Sequence, residues 1–150
     1  LDYFVTGWGT GGTLTGAGEV IKLARPDTQV IAIEPEGAAL LSGNDWAPHK
    51  IQGWVPDFIP AVLDRSVVGE IVQVTDDEAI GTAKRLAAEE GIFCGISAGG
   101  TMAGAFKVAE SAPEGSTFLV MLPDTGERYL SSPLFAEITE ESDDAWLESL

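Results

Sequence analysis

The chain has 150 residues, enough for one domain with a core of its own. Its net charge is −16, with only eight Lys and Arg, which excludes the basic patch that nucleic acids and anionic membrane surfaces require. A single cysteine, Cys94, excludes an internal disulfide framework and points to a reducing, cytoplasmic setting, and no apolar run reaches the roughly 18 residues that span a bilayer.

The chain opens on Leu1, already inside a strand-like run, so part of a larger protein is expected before it. Residues 1–5 read as a short buried strand ended by Gly7. Residues 13–25 read as a helix stopped by Pro26, and residues 30–33 as a second strand closed by Glu34-Pro35. Together they have the length of a parallel strand–helix–strand crossover. Regularity then fails from residue 36 to residue 64, where glycines and prolines punctuate the chain. A loop of that length in a compact domain predicts a functional segment or a lid.

Glu70–Val74 reads as the third strand. Thr75 predicts an N-cap, with Glu78 completing a capping box for a helix over Asp76–Glu90 that ends at Gly91. Residues 92–95 are short and apolar. Ser97-Ala98-Gly99-Gly100 opens a helix over residues 101–110, and residues 117–122 form the last strand. Alternating strands and helices predict an α/β fold, with residues 1–135 as the domain and residues 136–150 as an acidic, solvated tail. In open α/β sheets ligands bind beyond the carboxyl ends of the strands. The segments Gly9-Thr10-Gly11-Gly12-Thr13, Ser97 and Asp124-Thr125-Gly126 all fall there.

The glycine loop is the strongest local signal. A strand, a glycine-rich turn and a helix N-terminus together make an anion site, because the first helical amides lack intrahelical acceptors. Thr10 and Thr13 add two hydroxyls, which suits a compact terminal phosphate. A second reading is open. Gly7-Trp8-Gly9-Thr10-Gly11-Gly12 also fits G-x-G-x-x-G, and Glu34 at the end of the next strand stands where a ribose-binding acid would. Trp8 is bulky for a pyrophosphate turn, but the motif alone leaves an NAD-binding Rossmann dehydrogenase as the rival.

Six stretches in order carry a wider resemblance: Gly9-Thr10-Gly11-Gly12-Thr13-Leu14-Thr15-Gly16, Ile33-Glu34-Pro35, His49-Lys50-Ile51-Gln52-Gly53, Phe58-Ile59-Pro60, Gly95-Ile96-Ser97-Ala98-Gly99 and Gly126-Glu127-Arg128-Tyr129-Leu130-Ser131. On these the chain resembles the cysteine synthases, pyridoxal-phosphate enzymes of the tryptophan-synthase β fold type. The resemblance implies a three-layer parallel-sheet domain of fold type II, C-terminal part only. It implies that Gly9, Thr10, Gly11, Gly12 and Thr13 cup the 5′-phosphate and that Ser97 hydrogen-bonds the pyridine nitrogen. A hydroxyl there can donate to a neutral nitrogen, giving milder electron withdrawal than a carboxylate partner.

The loop over residues 49–60 matches the substrate entrance, with Gln52, Gly53 and Asp57 as its candidates. Here Trp54-Val55-Pro56-Asp57 replaces a glycine-rich turn common in the family. Asp124 is expected near the pyridine ring, and His49, the only histidine, is expected to pack the loop rather than to act as an acid or base. The lysine that forms the Schiff base in the family belongs to a portion preceding this chain. None of Lys22, Lys50, Lys84 and Lys107 matches it, so no catalytic residue is assigned and the chain alone is not expected to complete catalysis.

The implied activity of the full protein is cysteine formation from O-acetylserine and sulfide, as a homodimer that can contact serine acetyltransferase. Cystathionine β-synthase-like chemistry, the Rossmann dehydrogenase and an inactive binding module are the alternatives.

Overall fold

A computed structural model of the chain describes residues 1–136 and 147–148. The acidic tail expected over residues 136–150 therefore lies almost wholly outside the described residues. Four strands form one parallel sheet: β1 (Tyr3–Gly7), β2 (Gln29–Pro35), β3 (Glu70–Val74) and β4 (Phe118–Val120), in the order β3-β2-β1-β4. The central β2 is buried almost throughout. Its Val30-Ile31-Ala32-Ile33 run is apolar on both faces, as a strand covered on both sides must be.

Three helices cover the sheet: α1 (Gly12–Ala24), α2 (Asp76–Glu90) and α3 (Ile96–Ala109). On α1, Gly18 faces Val30; on α3, Gly104 faces Ile33. Val30 and Ile33 are an odd number of residues apart on β2, so they point to opposite faces. Hence α1 lies on one face and α3 on the other, with α2 packed against α3. This is the three-layer parallel α/β arrangement expected.

Glycines set the helix contacts. A Cβ at Gly99 would stand 2.1 Å from the Ala79 carbonyl oxygen, and one at Gly104 would stand 2.4 Å from Ile33 Cδ1. That explains why α3 begins at Ile96 rather than at residue 101. Gly99 and Gly100 are helical, and are small because α2 and Trp54 press against them. The short apolar segment over residues 92–95 forms only an isolated antiparallel bridge, Cys94 to Thr125. Gly91 ends α2 with φ 68° and Gly95 already caps α3, so too few residues remain for a ladder.

Chain order places β1 between β2 and β4. The chain steps from β1 out to β2 and β3, then returns to the other side of β1 for β4. The sheet therefore has a switch point between β1 and β4, and a crevice opens beyond their carboxyl ends.

Candidate functional site

A cavity of about 650 Å³ occupies that crevice. It is lined by the β1–α1 turn, residues 6–14, by Gln52, Gly53 and Trp54, and by Ser97 and Thr101 from α3. Met121, Pro123, Asp124, Arg128 and Tyr129 follow from the segment after β4. Thus Gly9, Thr10, Gly11, Gly12, Thr13, Gln52, Gly53, Ser97 and Asp124, spread over 115 positions of sequence, are brought to one place. Asp57 is not among them; it is exposed and does not line the cavity.

The helix ends at this cavity are bare. The N-cap of α1 is Gly11, with φ 84°, and that of α3 is Gly95; neither makes a side-chain cap, and neither helix has an acid in its first turn. Among the described residues the one side-chain bond at the head of α1 is long, from Gly12 N–H to Thr10 Oγ1 at 3.3 Å. By contrast α2 carries the full Thr75–Glu78 capping box and three acidic residues in its first turn. A helix head with unmet amides and no competing carboxylate is suited to an external anion. The cradle fits a phosphate group on that ground.

The glycines of the loop have separate duties. Gly11 needs its left-handed φ. A Cβ at Gly9 would stand 2.2 Å from Gly53 O, and one at Gly7 would stand 2.0 Å from the Trp54 ring. These two glycines admit the entrance loop against the strand end, a packing role that the G-x-G-x-x-G pattern conceals. The rival ribose role for Glu34 is overturned by its placement. Glu34 is fully buried, and its carboxylate accepts from Leu41 N–H at 3.0 Å, Ser42 N–H at 3.0 Å and Ser42 Oγ at 2.6 Å. It fastens the start of the long loop and faces no cavity.

Ser97 lies inside the first turn of α3, past the cap, and is 4% exposed. It is therefore not the N-cap. Behind it Thr101 Oγ1 donates to Ser97 O at 2.9 Å. Beside it, Tyr129 Oη donates to Asp124 Oδ2 at 2.5 Å. Burial first, then the bond to and charge of Asp124, push the Tyr129 phenol up to about 12, against smaller opposite pulls from Ser97 and Arg128. Tyr129 was missed as a site residue in the sequence. Its one signal was its place five residues after Asp124 within the Gly126–Ser131 motif.

Two buried polar atoms on residues that line this space have no hydrogen-bond partner among the described residues: Trp8 Nε1 and Asp124 Oδ1. Buried orphans of this kind call for a partner from outside the chain. Cys94 is nearly fully buried; burial and then the Asp124 charge push its thiol up, in keeping with a core residue.

The entrance loop is held under strain. Val55 is β-branched and has φ 30°, the only described non-glycine with positive φ. Three bonds hold it: Val55 N–H to Trp8 O at 3.0 Å, Trp46 Nε1 to Val55 O at 3.0 Å, and His49 Nε2 at 3.3 Å from the same oxygen. His49 thus packs the loop, as expected, and Trp46 is a second clamp that the sequence did not disclose. No lysine lines the cavity. Among the described residues no cluster of His, Cys, Asp and Glu could hold a metal, and no helix is long and apolar enough to cross a membrane.

Comparison with known proteins agrees with this geometry. The family model described as pyridoxal-phosphate dependent enzyme matches residues 1–124. The chain is 59% identical over its whole length to O-ureido-L-serine synthase from Streptomyces lavendulae, covering 46% of that protein. It is 43% identical over 91% of its length to cysteine synthase from Staphylococcus aureus, covering 44%. A crystal structure of an O-ureido-L-serine-bound mutant of O-ureido-L-serine synthase superposes with a TM-score of 0.95 at 58% identity, over 99% of this chain and 46% of that one. The chain thus spans less than half the length of the curated relatives it matches. That share agrees with a partial chain; assignment to their C-terminal portion does not follow from it. With the family model matched over residues 1–124, this chain belongs to the pyridoxal-phosphate dependent enzyme family.

Proposed function

We propose that this chain holds the 5′-phosphate of pyridoxal phosphate on Gly9, Thr10, Gly11, Gly12 and Thr13, and its pyridine ring toward Ser97. The whole protein then performs β-replacement on an O-activated serine. The observation that carries this reading is the pair of helix heads without side-chain caps, α1 and α3, at one cavity that both the glycine loop and Ser97 line. When bound, the cofactor withdraws electrons from the substrate's α-carbon, so that a group on Cβ can leave and a nucleophile can replace it. The amides of residues 11–13 and the Thr10 and Thr13 hydroxyls neutralise the phosphate dianion. Trp54 and the clamped Val55 turn wall the ring off from water, and Gln52 and Gly53 border the substrate's entrance. The cofactor-anchoring lysine comes from the rest of the protein, since none of this chain's lysines reaches the cavity.

For the nucleophile, 59% identity over the whole of this chain, which is 46% of that relative, supports formation of O-ureido-L-serine; replacing the acetate of O-acetyl-L-serine to make that product requires hydroxyurea as the nucleophile. In that reaction the Cβ–O bond to acetate breaks. A Cβ–O bond to the hydroxyurea oxygen forms, and that oxygen's proton leaves. The second reading, cysteine from sulfide, is supported by the six sequence stretches and the 43% relative.

The test uses the full-length protein loaded with pyridoxal phosphate. It receives O-acetyl-L-serine with hydroxyurea or with sulfide, and products are read by mass spectrometry. The expected result is O-ureido-L-serine with kcat/KM at least about tenfold above that for cysteine. Dominant cysteine formation selects the second reading. Neither product from a cofactor-loaded protein overturns β-replacement.

A further inference from the structure

The turn at Val55 is held more firmly than its path requires. A φ of 30° on a β-branched residue is not a conformation the backbone chooses by itself, and Pro56 after it narrows the choice further. Glycine takes a positive φ freely, and Gly53, two residues earlier, does so at 83°. A turn needed for its path alone would be built on glycine. At Val55 the angle is imposed from outside instead. Its carbonyl oxygen receives two side-chain donors, Trp46 Nε1–H at 3.0 Å and His49 Nε2 at 3.3 Å. That oxygen only accepts, so the His49 proton sits on Nε2 and Nδ1 carries the lone pair. Nδ1 is buried with no partner among the described residues. The ring's one polar contact there is thus the one to Val55.

What this clamp fixes lies just before it in the chain. Trp54 lines the cavity and is wedged between β1 and α3. A Cβ at Gly7 would stand 2.0 Å from Trp54 Cε2, and one at Gly100 would stand 3.0 Å from Trp54 Cη2. Gly53 O is pressed on Gly9, and Val55 N–H donates to Trp8 O at 3.0 Å. Gln52 and Gly53 line the same cavity. The Gln52 amide carries donors and an acceptor that no described residue engages. Residues 52–54 are therefore a wall of the cavity with free polar groups, and its setting depends on the bonds at Val55.

We propose that Trp46 and His49 are positioning residues that select the nucleophile. By fixing the Val55 carbonyl they hold residues 52–54 as a set wall against the incoming group. The proposal rests on the β-replacement reading given above. Sulfide is a single heavy atom and presents no group for a wall to align. Hydroxyurea is planar, with a carbonyl acceptor and N–H donors, and its reacting oxygen must be turned toward Cβ. A misplacement of about 1 Å in an oriented reactant can cost about a hundredfold in rate. Loosening the clamp therefore penalises hydroxyurea and spares sulfide.

The test uses the full-length protein loaded with pyridoxal phosphate and given O-acetyl-L-serine, with hydroxyurea and with sulfide in separate assays. Wild type is compared with Trp46→Phe, His49→Ala and His49→Gln. Trp46→Phe keeps an aromatic ring and removes the donor; His49→Gln keeps a donor near the place of Nε2. In Trp46→Phe and His49→Ala, kcat/KM for hydroxyurea is expected to fall about tenfold or more, and that for sulfide by less than about threefold. His49→Gln is expected to restore most of the loss. Equal falls for both nucleophiles, or no fall, overturn the positioning role, because a clamp that only stabilised the fold would act on both alike. Should the histidine variants not fold, Trp46→Phe decides, since that side chain is 40% exposed. A wild type that uses sulfide but not hydroxyurea overturns this selection and leaves β-replacement standing. A wild type that makes neither product overturns the proposed function, and this inference with it.

Discussion

Gly9 and Gly11 show how single residues shape the cavity for different reasons. Gly11 combines φ 84° with a would-be Cβ 2.6 Å from Leu63 Cβ. Alanine there adds a left-handed backbone cost of about 1 kcal/mol to a steric one. Gly11→Ala is expected to lower stability by about 2 kcal/mol and cofactor affinity at least about tenfold, read by thermal melting and by quenching of Trp8 and Trp54 fluorescence on pyridoxal phosphate. Gly12→Ala meets nothing closer than Thr10 Oγ1 at 3.5 Å and is expected to be milder on stability.

Tyr129 gives a pH signature at the same scale. Its pKa is raised from 10 to about 12 in the fold, so its neutral form is the stabilising one. That stabilisation is complete below about pH 10 and is lost as pH rises toward 12. The stability difference between wild type and Tyr129→Phe should therefore shrink across that window; a difference that stays flat contradicts it. At this scale the glycine turn was legible through motif and spacing, and Ser97 only through the family resemblance. The sequence did not expose Tyr129 or Trp46, because their partners, Asp124 and the Val55 carbonyl, are met only after the chain has folded back.

Elements were legible where local signals were complete. The capping box and Gly91 bounded α2 at both ends, and the structure agrees residue for residue. In that box, burial works against ionising Glu78. The bonds from Lys107 and Thr75, with the Lys107 charge, outweigh it and pull the carboxyl below its ordinary range. This contribution is present above the usual glutamate pKa and fades as pH falls through the lowered one. Thr75→Ala should cost about 1 kcal/mol in denaturant unfolding at neutral pH.

Elements were illegible where tertiary contact overrode the pattern. The start of α3 was hidden because its paired glycines read as a loop, although they are small to admit α2 and Trp54. Gly99→Ala drives a Cβ onto the Ala79 carbonyl, a backbone atom that cannot step aside. A loss of about 2 kcal/mol or more is expected, and a wild-type melting temperature would contradict the account of this contact.

For the whole molecule, the strand order makes a crevice where the chain reverses its direction of travel across the sheet. Alternation of strands and helices revealed the fold class, but sequence alone could not show that Gln52 and Gly53 line the cavity while Asp57 does not, because a positive-φ turn at Val55 lies between them. The central claim is that this crevice receives the phosphate of pyridoxal phosphate at the head of α1 and its ring nitrogen at Ser97. A crystal structure of the full-length protein with the cofactor tests it most directly. The account predicts phosphate oxygens within hydrogen-bond reach of the amides of Gly11, Gly12 and Thr13, with the ring nitrogen at Ser97 Oγ. A phosphate held elsewhere, or a ring turned away from Ser97, would contradict it.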